Sequence, residues 1–312
     1  MTDHNMPGIS RRRLLQQSLA IAGASLLPAS AWPEAQPAVR TRAIPSSGEV
    51  MPIVGLGTWI TFNVGNDATL LNESAAVMAA FFEADGRMID SSPMYGSSQD
   101  TLGFGLDKLG ASTPVFSADK VWTSNASNGA NQIETSEQRW GVPRFDLLQV
   151  HNLVAWEPHL SLLRHMKAAD EVRYIGITTS ESRRHTEFEN VMRGQPIDFI
   201  QVSYNILNRD IEDRILPLAM DKGIAVIANR PFQQKRLIHQ LEDKPLPLWA
   251  SDFEASSWAQ FLLKYVISHP AITCAIPATT RVDHVRENMA CAAGPLPDAN
   301  QRERMAAYVR SL

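Results

Sequence analysis

The strongest constraint in this chain is a rhythm: short apolar runs of strand length recur eight times, separated by segments long enough for a helix. The runs are Ile53–Gly57, Met88–Asp90, Val115–Val121, Leu147–His151, Tyr174–Ile177, Phe199–Val202, Ile224–Ala228 and Ile272–Ile276. Most are continuously apolar and do not alternate, the pattern of parallel strands covered on both faces. Eight such strands alternating with helices point to an α/β fold, a single (β/α)8 TIM barrel; an open doubly wound sheet is the alternative. Gly55-Leu56-Gly57 lacks the third glycine of a Gly-x-Gly-x-x-Gly turn, which weighs against the open dinucleotide-binding sheet.

Between the runs, Asn72 to Ala84 places Ala75, Val77, Met78, Phe81 and Phe82 at helical spacing, with Asn72 as the expected cap. Trp258, Phe261, Leu262, Tyr265 and Val266 form another stripe, ended by Pro270. Both stripes read as core packing. Ahead of the first strand, Val39–Ile44 and Glu49–Met51 flank Pro45-Ser46-Ser47-Gly48 and predict a β-hairpin. The chain of 312 residues suits one barrel domain over 39–312. A net charge of -4 gives no electrostatic reason to expect nucleic acid as a partner. The two cysteines, Cys274 and Cys291, are too few for a disulfide framework. Cys274 sits in an apolar run and reads as a small buried hydrophobe, while one bridge between the two stays open. No metal site is expected.

The N-terminal stretch does not belong to the barrel. Ser10-Arg11-Arg12-Arg13-Leu14-Leu15 precedes an apolar run from Ser18 to Leu27, and Ala29-Ser30-Ala31 follows as a small-residue cleavage site. The run is too short to span a bilayer core of roughly 30 Å as a helix. Paired arginines ahead of a short apolar run resemble a twin-arginine export signal. The expectation is a signal peptide over 1–31, cleaved after Ala31, then a Pro- and Ala-rich linker over 32–38. A basic terminus without this role and an uncleaved anchor are the alternatives. Export by the twin-arginine machinery would place the protein in the periplasm with no stable membrane span after cleavage. That route carries folded proteins, which suits one whose cofactor is loaded in the cytoplasm.

In a barrel of this kind, function gathers at the C-terminal ends of the strands. The second, third and fourth runs each end on an ionisable residue: Asp90, Lys120 and His151. Tyr95 follows Asp90 in the loop Ser-Ser-Pro-Met-Tyr-Gly. Singly, each has a structural explanation; together on consecutive strand ends they form a chemical set. A carbonyl that accepts a hydride becomes an alkoxide and needs a proton. Tyrosine, with an ordinary pKa of about 10, is a weak acid that a nearby ammonium strengthens. Tyr95 would then be the acid, Lys120 its tuner, Asp90 the partner of Lys120, and His151 a hydrogen-bond donor to the developing oxyanion.

These motifs resemble the aldo-keto reductases, over about Val39 to Asn288. Pro52-Ile53-Val54-Gly55-Leu56-Gly57-Thr58-Trp59 is similar to the family's first strand, and Gly86 to Gly96 to its Asp-to-Tyr signature. Lys120-Val121-Trp122 and Asp146-Leu147-Leu148-Gln149-Val150-His151-Asn152 are similar to the strands carrying its lysine and histidine. The resemblance implies an Asp-Tyr-Lys-His tetrad and an NADP-dependent oxidoreductase that interconverts carbonyls and alcohols, with NAD as a possible second cofactor. It assigns Gln201 to the nicotinamide amide, Glu287 and Asn288 to adenine, and Thr58, Thr178 and Thr179 to the cofactor cleft. Thr178-Thr179 replaces the family's Ser-Asn, and Asn229-Arg230-Pro231-Phe232 replaces an aromatic-Ser-Pro-Leu, so the stacking aromatic is absent. The Arg230 guanidinium is expected to stack on a ring face in its place. Thr279, Arg281 or His284 would meet the cofactor's 2′-phosphate, since Arg281 stands at a loop–helix junction suited to an anion. Trp59, Met94 and Trp122 are the expected substrate contacts. Two further functions stay open: a nucleotide-binding sensor with little turnover, and a binding or scaffold barrel with a vestigial site. The sequence does not name the substrate, the favoured direction or the oligomeric state.

Overall fold

The computed structural model describes Met1, Thr2, and residues 39–110 and 112–312. The expected leader and linker lie outside the described residues. The hairpin comes first, with β1 (Thr41–Ala43) antiparallel to β2 (Val50–Pro52) and Arg42 opposite Met51. Gly48, with φ 76, closes its turn by donating its N–H to the Ile44 carbonyl at 2.8 Å.

Eight parallel strands follow in spatial order: β3 (Leu56–Gly57), β4 (Met88–Asp90), β5 (Phe116–Val121), β6 (Phe145–Val150), β7 (Val172–Thr179), β8 (Phe199–Ser203), β9 (Ala225–Asn229) and β10 (Cys274–Ala275). The sheet closes where the first strand meets the last. Gly55 donates to the Ala275 carbonyl at 2.8 Å, Ala275 to the Ile53 carbonyl at 2.9 Å, and Gly57 to the Pro277 carbonyl at 3.1 Å. The seam is glycine for steric reasons. A Cβ on Gly57 would meet the Ile276 oxygen at 2.7 Å, and one on Gly55 the Met88 oxygen at 2.9 Å. The closure of the eight-stranded sheet on itself excludes the open-sheet alternative.

Period-two alternation sorts each strand into two cores. Met88, Phe116, Ala118, Leu147, Phe199, Ile227 and Cys274 fill the barrel interior, and Ile44 and Met51 of the hairpin join that cluster. Tyr174, also inside, is tied to the hairpin by its hydroxyl, which donates its one proton to Glu49 at 2.7 Å and lies 2.7 Å from Ser47 Oγ, whose own proton it can accept. The hairpin therefore plugs the N-terminal end of the barrel, and the opposite end stays open. The other strand face packs on the helices.

Those helices are α1 (Ala68–Glu83), α2 (Ser98–Leu109), α3 (Gly129–Trp140), α4 (Trp156–Ala168), α5 (His185–Gly194), α6 (Ile215–Lys222), α7 (Arg236–Leu241), α8 (Trp258–Ile267), α9 (Val282–Ala290) and α10 (Ala299–Ser311). The first helix begins earlier than its apolar stripe suggests. Asp67 is the cap, accepting from the N–H groups of Thr69 and Leu70, whereas Asn72 lies inside the helix and bonds the Ala68 carbonyl. No described helix is long and apolar enough to cross a membrane. Cys274 and Cys291 are both free and buried, one in the interior cluster and one in the outer, so they do not pair.

The last helix, α10, is held by a charged residue. Arg302 is buried and donates to the Tyr265 carbonyl, to Ser268 Oγ at 3.2 Å, to the Tyr204 hydroxyl, and to Glu212 Oε1 at 3.0 Å. Its aliphatic neighbours Met305, Ala306 and Val309 pack into the outer core. Glu212 keeps Arg209 as a second partner, at 2.6 Å, so Arg302→Ala chiefly strips donors from the buried Tyr265 carbonyl and Tyr204 hydroxyl. Arg302→Ala is expected to lose about 3 kcal/mol of stability in urea unfolding; a loss under about 1 kcal/mol would show that α10 is held by its apolar face alone.

Candidate active site

The open end of the barrel holds a cavity of about 330 Å³. Strand ends deliver its polar floor. Asp90 is the last residue of β4, Lys120 the last but one of β5, and His151 the first after β6. Tyr95 comes from the loop after β4. That loop folds back because Ser91 N–H bonds the Ala118 carbonyl at 2.9 Å and Tyr95 N–H the Ser92 carbonyl at 2.9 Å. Thr58 pins β4 from the other side, its hydroxyl donating to the Asp90 carbonyl at 2.9 Å.

At the centre stands a fully buried ammonium. Lys120 Nζ donates to Asp90 Oδ1 and Oδ2, both at 2.8 Å, and to the Ser91 carbonyl at 2.6 Å. The same nitrogen is 5.2 Å from the centre of the Tyr95 ring. Burial works to lower the Lys120 pKa, but Asp90 first, then Tyr95 and Asp119, outweigh it, so the net shift is upward and the amine holds its proton. Burial likewise raises the Asp90 carboxyl, against the pull of Lys120 and of Gln201.

Tyr95 departs from the sequence expectation. Lys120 does lower its pKa, but burial, together with Asp90 and Asp119, raises it more, so the net shift is upward. The phenol holds its proton more tightly than a free tyrosine chiefly because burial penalises the phenolate, with Asp90 and Asp119 adding to that and Lys120 opposing it.

The His151 ring meets the Tyr95 ring edge-on at 5.8 Å between centroids. Its Nδ1 is 2.8 Å from Ser92 Oγ, which already accepts the Met94 N–H at 3.2 Å. The Ser92 hydroxyl is positioned to give its proton to Nδ1, and with that bond the imidazole proton lies on Nε2, which becomes a donor. Burial, then the Lys120 charge, push the His151 pKa down to about 3, so the ring is neutral. Ser92 was visible in the motif, but nothing in the sequence marked it as the partner of His151.

Of the other expected residues, Trp59, Thr58, Met94, Thr178, Gln201 and Arg230 line the cavity. Thr178 Oγ1 accepts the Asn152 N–H at 3.0 Å, which leaves its own proton available. Gln201 is turned inward: Nε2 donates to Asp90 Oδ1 at 2.7 Å, and Oε1 lies 3.4 Å from Asn229 Nδ2. The Arg230 guanidinium, expected on a cofactor ring, sits over the Trp59 indole at 5.8 Å.

Several expected residues stand elsewhere. Trp122 lies just past β5 with its backbone pinned by the Gln132 amide, and it does not line the cavity. Thr179 turns its hydroxyl to the Glu181 backbone. Thr279, Arg281, Glu287 and Asn288 gather at α9, and none lines the cavity. Thr279 Oγ1 accepts the Arg281 N–H at 3.1 Å and is 3.4 Å from His284 Nδ1. Arg281 is exposed and its guanidinium is paired with Asp283, Nε to Oδ1 at 2.9 Å. Glu287 receives the Ser257 hydroxyl, and Asn288 is buried. In their place the cavity wall takes Asn152, Ser180 and Lys235. Asn152 sits at φ 50, a left-handed position that asparagine tolerates, and its Oδ1 accepts the Ser180 N–H at 3.2 Å.

A closed parallel barrel with a paired lysine, a phenol and a neutral imidazole at one mouth defines a protein built for proton transfer to an oxygen. The model of the aldo/keto reductase family matches residues 53–307, and the chain belongs to that family. It is 28% identical to the methylglyoxal reductase YeaE of Escherichia coli over 260 residues, 81% of this chain and 89% of that one. Among solved structures it is similar to an aldo/keto reductase from Klebsiella pneumoniae in complex with NADP and acetate. There the TM-score is 0.72 at 21% identity, over 88% of this chain and 95% of that one. It is also similar to the glycerol dehydrogenase of Gluconobacter oxydans, with a TM-score of 0.70 at 18% identity over 87% and 95%.

With its pKa near 3, the His151 imidazole is expected to stay unprotonated from about pH 8 down to about pH 5 in an NMR titration. A midpoint near the ordinary 6.5 would show that the ring is wetter and farther from Lys120 than the geometry places it.

Proposed function

We propose that the protein interconverts aldehydes or ketones and alcohols with NADP, Tyr95 giving the proton to the substrate oxygen. One observation carries this reading: Asp90, Tyr95 and His151 line one pocket, and the buried Lys120 ammonium stands directly behind them, bonded to Asp90 and 5.2 Å from the centre of the Tyr95 ring. The family and the NADP held by the Klebsiella relative support the choice of cofactor.

The residues present fit such a cofactor. The cavity wall offers the Thr178 hydroxyl and the amides of Asn152 and Gln201. Arg230 and Lys235 line it as well, and among the described residues neither is in an ion pair, so two positive charges are available to phosphate. Arg281 is committed to Asp283, so recognition of the 2′-phosphate falls to other residues or requires that pair to part. When bound, the nicotinamide supplies or takes the hydride.

The chain's own part is acid catalysis. Tyr95 keeps its proton until the substrate oxygen gains negative charge, and then donates it. The Lys120 ammonium beside the ring stabilises the phenolate left behind. Neutral His151 donates from Nε2 to the same oxygen, so a carbonyl is oriented and polarised from two sides. Asp90 and Gln201 keep the ammonium in place.

Export completes the reading: the twin-arginine machinery would carry the folded protein to the periplasm, and a peptidase would cut after Ala31. The mature protein from a periplasmic fraction is expected to begin at Trp32 on N-terminal sequencing. Intact chain confined to the cytoplasm would remove the export proposal and leave the chemistry untouched.

Tyr95→Phe keeps the ring and removes the proton. It is expected to lower kcat for carbonyl reduction by about 10²–10⁴ while the circular dichroism spectrum stays native. Equal turnover by the two proteins would remove Tyr95 from the mechanism.

A further inference from the structure

We infer that Asp119, on the outer face of the strand that carries Lys120, is a charge-positioning residue that keeps the proton on Tyr95. The inference rests on the proposed role of Tyr95 and adds a residue outside the pocket to it.

Adjacent residues on a strand point to opposite faces. Lys120 points into the barrel; Asp119 points out, under α2 and α3, and is fully buried. Its Oδ1 accepts the Lys120 backbone N–H at 2.6 Å. Its Oδ2 accepts from Gln99 Nε2 of α2 at 2.9 Å and from Trp140 Nε1 of α3 at 2.6 Å. Every partner is a donor, so a proton on this carboxyl would have no acceptor, and the cluster is built for the carboxylate. A buried carboxylate is costly without a counter-ion. Among the described residues no arginine or lysine forms an ion pair with Asp119.

The groups facing it can be named element by element. From α2 and α3 come the neutral Gln99, Trp140 and Ser136, the last bonded to Gln99 at 2.9 Å. The cation of α3, Arg139, is turned to the Gln99 oxygen at 3.4 Å and to Asp100 at 3.7 Å. On β6, Leu148 stands opposite Asp119 in register. Through its own strand Asp119 meets Lys120, and beyond it Asp90 and Tyr95.

Charge counting then gives the function. Asp90 and Lys120 cancel. Asp119 leaves the buried centre with one net negative charge, which opposes a second anion on the Tyr95 oxygen. Burial raises the Asp119 carboxyl to about 6, against the pull of Lys120, so the group is charged above that pH. Its charge is among those that raise Tyr95. Asp119 therefore loads the acid with its proton, while Lys120 limits how tightly that proton is held.

The test is a spectrophotometric titration of tyrosinate in the whole protein without added cofactor. The Tyr95 signal is isolated by subtracting the titration of Tyr95→Phe. Asp119→Asn is expected to lower the Tyr95 midpoint by about one pH unit. Asp119→Ser, smaller and equally neutral, gives the same shift if the amide cannot be accommodated. Gln99→Met removes one donor but keeps the charge, and is expected to leave the midpoint in place. If the neutral variants do not move it, or Gln99→Met moves it equally, Asp119 only ties the helices to the strand and the inference is overturned. The readout needs no turnover, so loss of the oxidoreductase reading would not be confused with loss of this one.

Discussion

A single buried ammonium organises the active end of this barrel. Taking a lysine out of water costs several kcal/mol, and only a close anion with good geometry offsets it. Lys120 finds that anion in Asp90, one strand away, with both carboxylate oxygens at 2.8 Å. The pair is possible because the strands are parallel and in register, with Asp90 opposite Ala118, two residues before Lys120. Once the ammonium is fixed, its neighbours acquire their character. Tyr95 sits beside a permanent positive charge, and His151 is kept neutral by burial and by that charge.

The barrel makes this arrangement affordable by separating two jobs. Its N-terminal end is closed by Ile44 and Met51 of the hairpin against Phe116, Tyr174 and Phe199, a purely structural aromatic layer. The C-terminal end is left to polar side chains that would be out of place in a core. The close glycine seam between β3 and β10 belongs to the same division, since it shuts the sheet without side chains to crowd the mouth. Stability resides at one end and chemistry at the other, the usual economy of this architecture.

The cofactor side was less legible than the catalytic floor. The Asp-Tyr-Lys-His set stood out because strand ends converge in any such barrel. Positions further out depend on loop paths. Thr179 and Trp122 are each within two residues of a cavity or catalytic residue, yet both turn away: one to the Glu181 backbone, the other out past Gln132. Asn152 and Ser180 enter the wall because the chain after His151 runs through left-handed residues that redirect it. Gln201 was expected to face a ligand and instead bonds Asp90, so its amide belongs to the ion pair as much as to the cleft.

The sequence alone determined the continuous apolar runs and the helical stripes, and with them the eight strands, the hairpin and the four residues at or just after consecutive strand ends. It could do so because a run of apolar residues and a helical stripe are local patterns, readable over a few residues. Only the tertiary structure decided the balance of charge among those residues. Burial depth, the second carboxylate at Asp119 and the outward turn of neighbouring loops are sums over elements far apart in the chain. That is why Tyr95 holds its proton more tightly than a tyrosine beside a lysine would suggest: the ammonium is read from a motif, but desolvation is a property of the whole fold.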